Sequence, residues 1–320
     1  MKLVPAAGDA LERVLDESHE LWADGLSRRA YDRYNAAQLS TPWGSKHLRR
    51  VALVDDQGRV LSSAKRYSLR ARLDGREIDV IGIGAVFTPA GARGRGHARH
   101  VVERILASAA ADGAELALLF SEIDPAYYAT MGFVPVPRRQ VVVRTKETPG
   151  APMILVRTGE ERDIPAVTAL APAMDERHRF SLVHTEDLIR FGLSKKRLLA
   201  GFLPPDLLSV EFYIVEEGAG AVAFAILTVT DEDVVLEMCG DRDPDGARVG
   251  ALLQVLRART PGERARQLAC FLPPKWLPPQ LELESSSIVR EVMMVKPLRD
   301  HALERPLRAE DMLYWHGDLF

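Results

Sequence analysis

Apolar side chains recur every three or four residues from Ala10 to Trp22, at Ala10, Leu11, Val14, Leu15, Leu21 and Trp22, with Ser18 alone interrupting the stripe. That period predicts an amphipathic helix. A second helix is expected over Ser27–Ala37, followed by a loop over Gln38–Ser45 marked by Pro42 and Gly44. Strands follow at Arg49–Val54 and Arg59–Leu73, joined by a turn at Asp55–Gly58. Asp74-Gly75 is a strong hairpin signal. Ile78–Phe87 is a near-continuous apolar run, the pattern of a strand buried on both faces. A glycine-rich loop then leads to a helix over Gly96–Asp112 and a buried strand over Leu116–Phe120. A short helix, Tyr127–Met131, is closed by Gly132, and Arg138–Val143 reads as a strand.

Lys146–Pro152 is a Pro/Gly-rich linker near mid-chain. Beyond it the same order returns. A strand is expected at Met153–Val156, helices at Asp163–Met174 and Thr185–Ala200, and a hairpin of Glu211–Glu217 with Ala221–Thr230. Strand Val234–Met238, helix Ala247–Arg259 and strands Gln267–Phe271 and Ile288–Val295 complete it. The expectation is an α/β (α+β) chain of two tandem domains with one architecture, residues 1–148 and 149–300. A tail, 301–320, ends in Met-Leu-Tyr-Trp-His-Gly-Asp-Leu-Phe and should pack rather than fray.

Composition narrows the function classes. With 47% hydrophobic and 27% charged residues, wholesale disorder is excluded. A formal net charge of −3 gives no global basic excess for gripping nucleic acid or an anionic membrane. No signal-peptide core and no bilayer-length apolar run is present, so the expected address is cytoplasmic. The two cysteines, Cys239 and Cys270, sit in apolar runs outside any metal-ligand spacing, which predicts buried thiols. Asp241-x-Asp243-x-Asp245-Gly246 opens like a calcium loop but lacks the closing Glu, so no metal is expected. The oligomeric state is left open.

The chemistry concentrates at Arg93-Gly94-Arg95-Gly96-His97-Ala98, between a buried strand and an amphipathic helix. Glycines admit a ligand close to the backbone, the helix N-terminus offers unpaired N–H groups, and two arginines add charge. A pyrophosphate is the natural guest. Tyr128, in Tyr128-Ala-Thr-Met-Gly132-Phe133, is a phenol able to protonate a leaving thiolate.

Strand, R-x-x-G-x-A loop, helix, strand and Y-x-x-x-G-F in this order resemble the GNAT superfamily of N-acetyltransferases, over about residues 1–145. The resemblance implies a mixed, mostly antiparallel sheet flanked by helices in each domain, with acetyl-CoA as co-substrate. It implies that Val86 and Phe87 hold the pantetheine arm, that the amides of Arg93, Gly94, Arg95, Gly96, His97 and Ala98 take the diphosphate, and that Tyr128 protonates the CoA sulfur. The stretches Val86–Ala98 and Ser121–Phe133 are also similar to fungal lysine N6-acetyltransferases, which suggests a small-molecule primary amine as acceptor. The second half carries neither motif, and Asp241, Asp243 and Asp245 would repel a pyrophosphate, so it reads as a degenerate GNAT-like domain.

A general base is not obvious. Glu122, Asp124, water and the carboxylate of the last residue, Phe320, all stand as candidates; the terminal carboxylate is the proposed base in the tandem mycobacterial enhanced-intracellular-survival acetyltransferases. His97 and His100 read as ordinary helix residues, and Gly82-Ile-Gly84 as a bulge or a close approach within the strand. Trp22, Tyr31, Tyr34 and Trp43 could line an acceptor groove. The competing reading is a non-catalytic acyl-CoA-binding sensor or scaffold.

Overall fold

The computed structural model describes residues 1–146, 153–172, 177–204, 206–231, 233–258, 268–273, 275–300, 302–318 and 320. In chain order the first half holds β1 (Lys2–Pro5), α1 (Gly8–Trp22), α2 (Arg28–Ser40), α3 (Pro42–His47), β2 (Leu48–Val54), β3 (Val60–Leu73), β4 (Arg76–Phe87), α4 (His97–Ala111), β5 (Leu116–Ser121), α5 (Ala126–Ala129), β6 (Val134–Val136) and β7 (Arg139–Thr145). The second half holds β8 (Leu155–Thr158), α6 (Ile164–Leu170), β9 (Phe180–Leu182), α7 (Glu186–Phe202), β10 (Ser209–Glu217), β11 (Gly220–Val229), β12 (Val234–Asp241), α8 (Ala247–Ala258), β13 (Leu268–Cys270), β14 (Leu281–Ile288), β15 (Val292–Pro297) and β16 (Met312–Leu313).

Local sequence explains most of these elements. Asp74 and Gly75 both take positive φ, 48° and 81°, as a tight turn between twisted strands requires. The loop expected over Gln38–Ser45 is instead helical. There α2 runs on to Ser40, and the Thr41 hydroxyl accepts from Gly44 N at 2.9 Å to cap α3, with Pro42 in its first turn. The proline that signalled a loop marks a helix start. The Pro-rich stretch after β13 leads into β14, which the composition hid, and β15 begins at Val292 rather than Ile288. The linker 147–152, the helix expectations at 173–176 and 259, and Gln267 lie outside the described residues.

Two sheets form. The first runs β1-β2-β3-β4-β5-β15-β6, with β9 beside the far end of β3 and β16 beside β9. The second runs β14-β7-β13-β12-β11-β10-β8. Each contains one parallel pair joined by a helix: β4 and β5 across α4, β12 and β13 across α8. The boundary expected near residue 148 does not divide the sheets. β7 crosses into the second sheet between β13 and β14, and β15 returns to lie between β5 and β6. Each half thus gives the other the strand beside its parallel pair. Register and burial decide this: Met293, Met294 and Val295 of β15 are nearly solvent-free in the first core.

One face of the first sheet packs under α4 through Val101, Val102 and Ile105 against Ile81, Ile83 and Leu119. The other face carries Tyr67, Leu69, Val80 and Leu118, and is covered by Trp43, by Phe191 of α7 and by the tail at Met312 and Tyr314. The C-terminal end of α7 closes over α1 and α2. Cys239 and Cys270 are buried thiols.

Candidate active site

The parallel pair β4–β5 is joined only from Val80↔Leu116 to Ile83↔Leu119. Past that point β4 stays with β3 and β5 stays with β15, so a gap opens between them. The register of β3 against β4 slips between Ser63↔Phe87 and Lys65↔Gly84, leaving an extra residue on β4. Ala85 sits in this bulge at φ 47°, a conformation that bends the strand away from its neighbour. Val86 is partly buried; Phe87 is buried, and its carbonyl accepts from the Ser62 hydroxyl at 2.7 Å.

The anion loop follows directly. Gly94 and Gly96 have φ of 74° and 77°, and a Cβ on either would meet nothing within 4 Å, so the space before them is open. The first backbone bond of α4 is His100 N to Gly96 O at 3.1 Å; no side chain caps the helix and its first turn holds no acid. Its amides are therefore available to an anion. Arg93, Arg95 and the loop backbone are exposed. The equivalent position in the second half is filled from within. Asp241 Oδ2 accepts from Arg248 N at 2.9 Å and Val249 N at 3.0 Å, so the protein's own carboxylate occupies the start of α8. The Asp241–Asp245 run is a helix cap, and among the described residues no cluster suited to a metal is present.

The tail reaches the gap from the opposite side of the sheet. The Phe320 ring lies 4.8 Å from Tyr67 and 5.2 Å from Phe120, between centroids. A Cβ on Gly82 would come within 2.6 Å of Phe320 Cζ, and one on Gly84 within 3.1 Å of a Phe320 carboxyl oxygen. The two glycines are therefore what lets Phe320 lie on β4, and its carboxyl group sits beside the bulge. Upstream, Asp318 locks the last turn: its carboxylate accepts from Trp315 N at 2.9 Å and lies 2.6 Å from His184 Nε2, while Tyr314 OH donates to its carbonyl. Arg138, buried between the sheets, is ringed by Phe120, Phe271 and Tyr314 at 5.0, 4.4 and 5.2 Å and backs the same aromatic wall.

Tyr128 is buried on the α4 face, where burial, with smaller contributions from Tyr127 and Glu122, pushes its phenol up to about 12. It stays protonated at neutral pH, as a proton donor must. Tyr128 and Phe320 thus lie on opposite faces of the sheet, which meet only at the β4–β5 gap. Glu122 is exposed, and Asp124 accepts from Ala126 N at 2.9 Å as a turn residue. Of the expected groove aromatics, Trp43 lines the main cavity, Trp22 packs on Phe87 with centroids 6.0 Å apart, and Tyr31 is a core residue.

That cavity, of about 70 Å³, lies between Phe320, Tyr67 and α7, with β12 as its floor. Its polar end holds Glu237, which accepts from Thr228 Oγ1 at 2.5 Å and pairs with Lys196 Nζ and His316 Nδ1 at 2.7 Å each. Burial pushes this carboxyl up, but His316 and Lys196 outweigh it and hold it at about 2.

The Acetyltransferase (GNAT) domain profile matches residues 10–136. Those residues are a GNAT acetyltransferase domain. No curated protein sequence matches the chain. Among solved structures, a probable N-acyltransferase from Enterococcus faecalis is similar at 12% identity and TM-score 0.68, over 93% of this chain and 72% of its own. A GCN5-related N-acetyltransferase from Kribbella flavida is similar at 17% identity and TM-score 0.67, over 93% and 72%. N-myristoyltransferase from Saccharomyces cerevisiae, solved with bound myristoyl-CoA, is similar at 12% identity and TM-score 0.53, over 92% and 83%. These likenesses reach the GNAT superfamily and its fold, not the fungal lysine N6-acetyltransferases.

The chain is accordingly an acyltransferase, and the GNAT domain uses an acyl-CoA donor. Among the described residues no helix is long and apolar enough to cross a membrane. Sequence reasoning missed His184, Glu237, Lys196 and Lys65. Each belongs to an element without a motif, and only the packing of the second half and the tail against the GNAT domain brings them to one cavity.

Proposed function

We propose that this enzyme moves an acetyl group from acetyl-CoA to a primary amine of a small molecule by direct attack. The observation that carries the reading is the uncapped start of α4, with its two left-handed glycines, beside a bulged and splayed strand pair. In this reading the Arg93–Ala98 amides hold the diphosphate, and the backbone at Val86 and Phe87 guides the pantetheine into the gap. Where Phe320 ends the chain, its carboxylate takes the proton from the acceptor ammonium. The freed amine attacks the thioester carbonyl, the C–S bond breaks, and Tyr128 gives the departing sulfur its proton. The acceptor would approach from the side of Phe320 and α7. The second half, its helix start filled by Asp241, would contribute walls to that approach rather than a second donor site.

Calorimetric titration with acetyl-CoA should give one site per chain. Thiol release with a panel of amines should fall steeply in Tyr128→Phe. Two donor sites, or no binding at millimolar ligand, would overturn the assignment. Binding without turnover on any amine would favour the sensor reading.

A further inference from the structure

Arg50 on β2, Lys65 on β3 and Gly84 on β4 lie directly opposite one another in register, forming one row across three strands. Residues opposite each other share a face, so both cations project on the face where Gly84 meets the Phe320 carboxyl. Like charges directly opposite are destabilising, and burial makes them more so. Yet Arg50 is only 6% exposed and Lys65 is partly buried. Their partners are neutral: Arg50 donates to Asn35 Oδ1 at 3.1 Å, Lys65 to Gln38 Oε1 at 3.2 Å, and Arg50 Nη1 is buried without a hydrogen-bond partner. Among the described residues no carboxylate lies within ion-pair distance of either. A small cavity separates them from Leu11, Leu39 and Leu48. Burial, then Arg50 and Lys195, pull the Lys65 ammonium well below its ordinary range, and Asp24 answers only from a distance. Lys195, from α7, stands on the same side and also lines the main cavity.

Two cations placed side by side with no anion are a costly arrangement unless an anion arrives with the ligand. We infer that the acceptor carries a carboxylate as well as its amine, and that Lys65 and Arg50, with Lys195 at the rim, hold it. This rests on the amine-transfer reading above. The row fixes the geometry. The amine is attacked beside Gly84, and the cations stand one and two interstrand steps away, about 5 and 10 Å. Polycationic acceptors would meet this row with repulsion.

The test compares acceptors that differ only in the carboxylate: 6-aminohexanoate with pentylamine, and lysine with cadaverine. Thiol release from acetyl-CoA is followed for the full chain. The acid of each pair should have a kcat/KM roughly tenfold to a hundredfold higher, the range of a charge-assisted contact. Lys65→Gln should bring the ratio towards one, whatever it does to the absolute rates. Lys195→Gln, on the more open side of the site, should narrow the ratio as well and guards against a Lys65 variant that fails to fold. Equal or faster turnover of the decarboxylated amines, or an unchanged ratio in both folded variants, overturns the carboxylate assignment while leaving amine transfer intact. Donor binding with no turnover of any amine overturns the transfer reading, and this inference with it.

Discussion

Gly82→Ala is the most informative single change, because it tests the placement of Phe320 without touching a polar group. The added Cβ would lie 2.6 Å from Phe320 Cζ and 2.9 Å from Cε2. Carbon atoms in contact prefer about 3.5–4.0 Å, so the ring must retreat by about 1 Å. It cannot simply pivot, since Tyr67 and Phe120 flank it at 4.8 and 5.2 Å. The carboxyl on the same residue, beside Gly84, must move with it. A displacement of this size at a reacting group costs on the order of a hundredfold in rate. The overpacking itself costs about 1–3 kcal/mol of stability, partly offset because alanine is less flexible than glycine in the unfolded chain. The assay is kcat/KM by thiol release, beside acetyl-CoA affinity by calorimetry and Tm by thermal melting. The rate should collapse while donor affinity holds. In a chain lacking Phe320, Gly82→Ala should add nothing to the loss already present. Full activity, or an equal loss in that shortened chain, would refute the reasoning.

Three further outcomes follow from other parts of the site. One residue added after Phe320 should abolish turnover and leave acetyl-CoA binding unchanged by calorimetry; full activity would remove the carboxylate as base. Gly96→Ala, at φ 77° with open space before it, should weaken acetyl-CoA binding through backbone strain of about 1–2 kcal/mol rather than through a clash, seen as a higher Kd with α4 intact by circular dichroism. Glu237 titrates at about 2 folded, against 4.5 for the ordinary carboxyl. A depressed folded value stabilises above the unfolded one, so this contribution, on the order of 3 kcal/mol, is present above about pH 4.5 and lost as the pH falls towards 2. Glu237→Gln should flatten the acid limb of stability against pH in chemical denaturation, and an unaltered limb would count against the network with Lys196 and His316.

The motifs of the first half were legible because they are local. Positive φ at two positions, an uncapped helix start and a buried strand before it leave a contiguous signature at Ile78–Ala111, and the hairpin at Asp74-Gly75 is set by its own two residues. Gly82 and Gly84 were also visible, as an anomaly in an apolar strand, but their reason lay more than two hundred residues away in Phe320. The failures have the same logic reversed. Thr41-Pro42 was read as a loop because proline punctuates both loops and helix starts, and only the Thr41 cap tells them apart. β14 was hidden by the prolines before it, since an edge strand tolerates a composition that a central strand does not.

The sequence by itself determined the elements, the two-fold recurrence of their order, the anion loop and Tyr128, because period, turn chemistry and helix capping act over a few neighbouring residues. Only the tertiary structure decided that β7 and β15 change places between the sheets, that the tail ends on the two glycines of β4, and that Arg50, Lys65 and Gly84 share one row. Strand partnership and register are settled by which apolar faces can be buried together across the whole chain, and that choice leaves no mark at any single position.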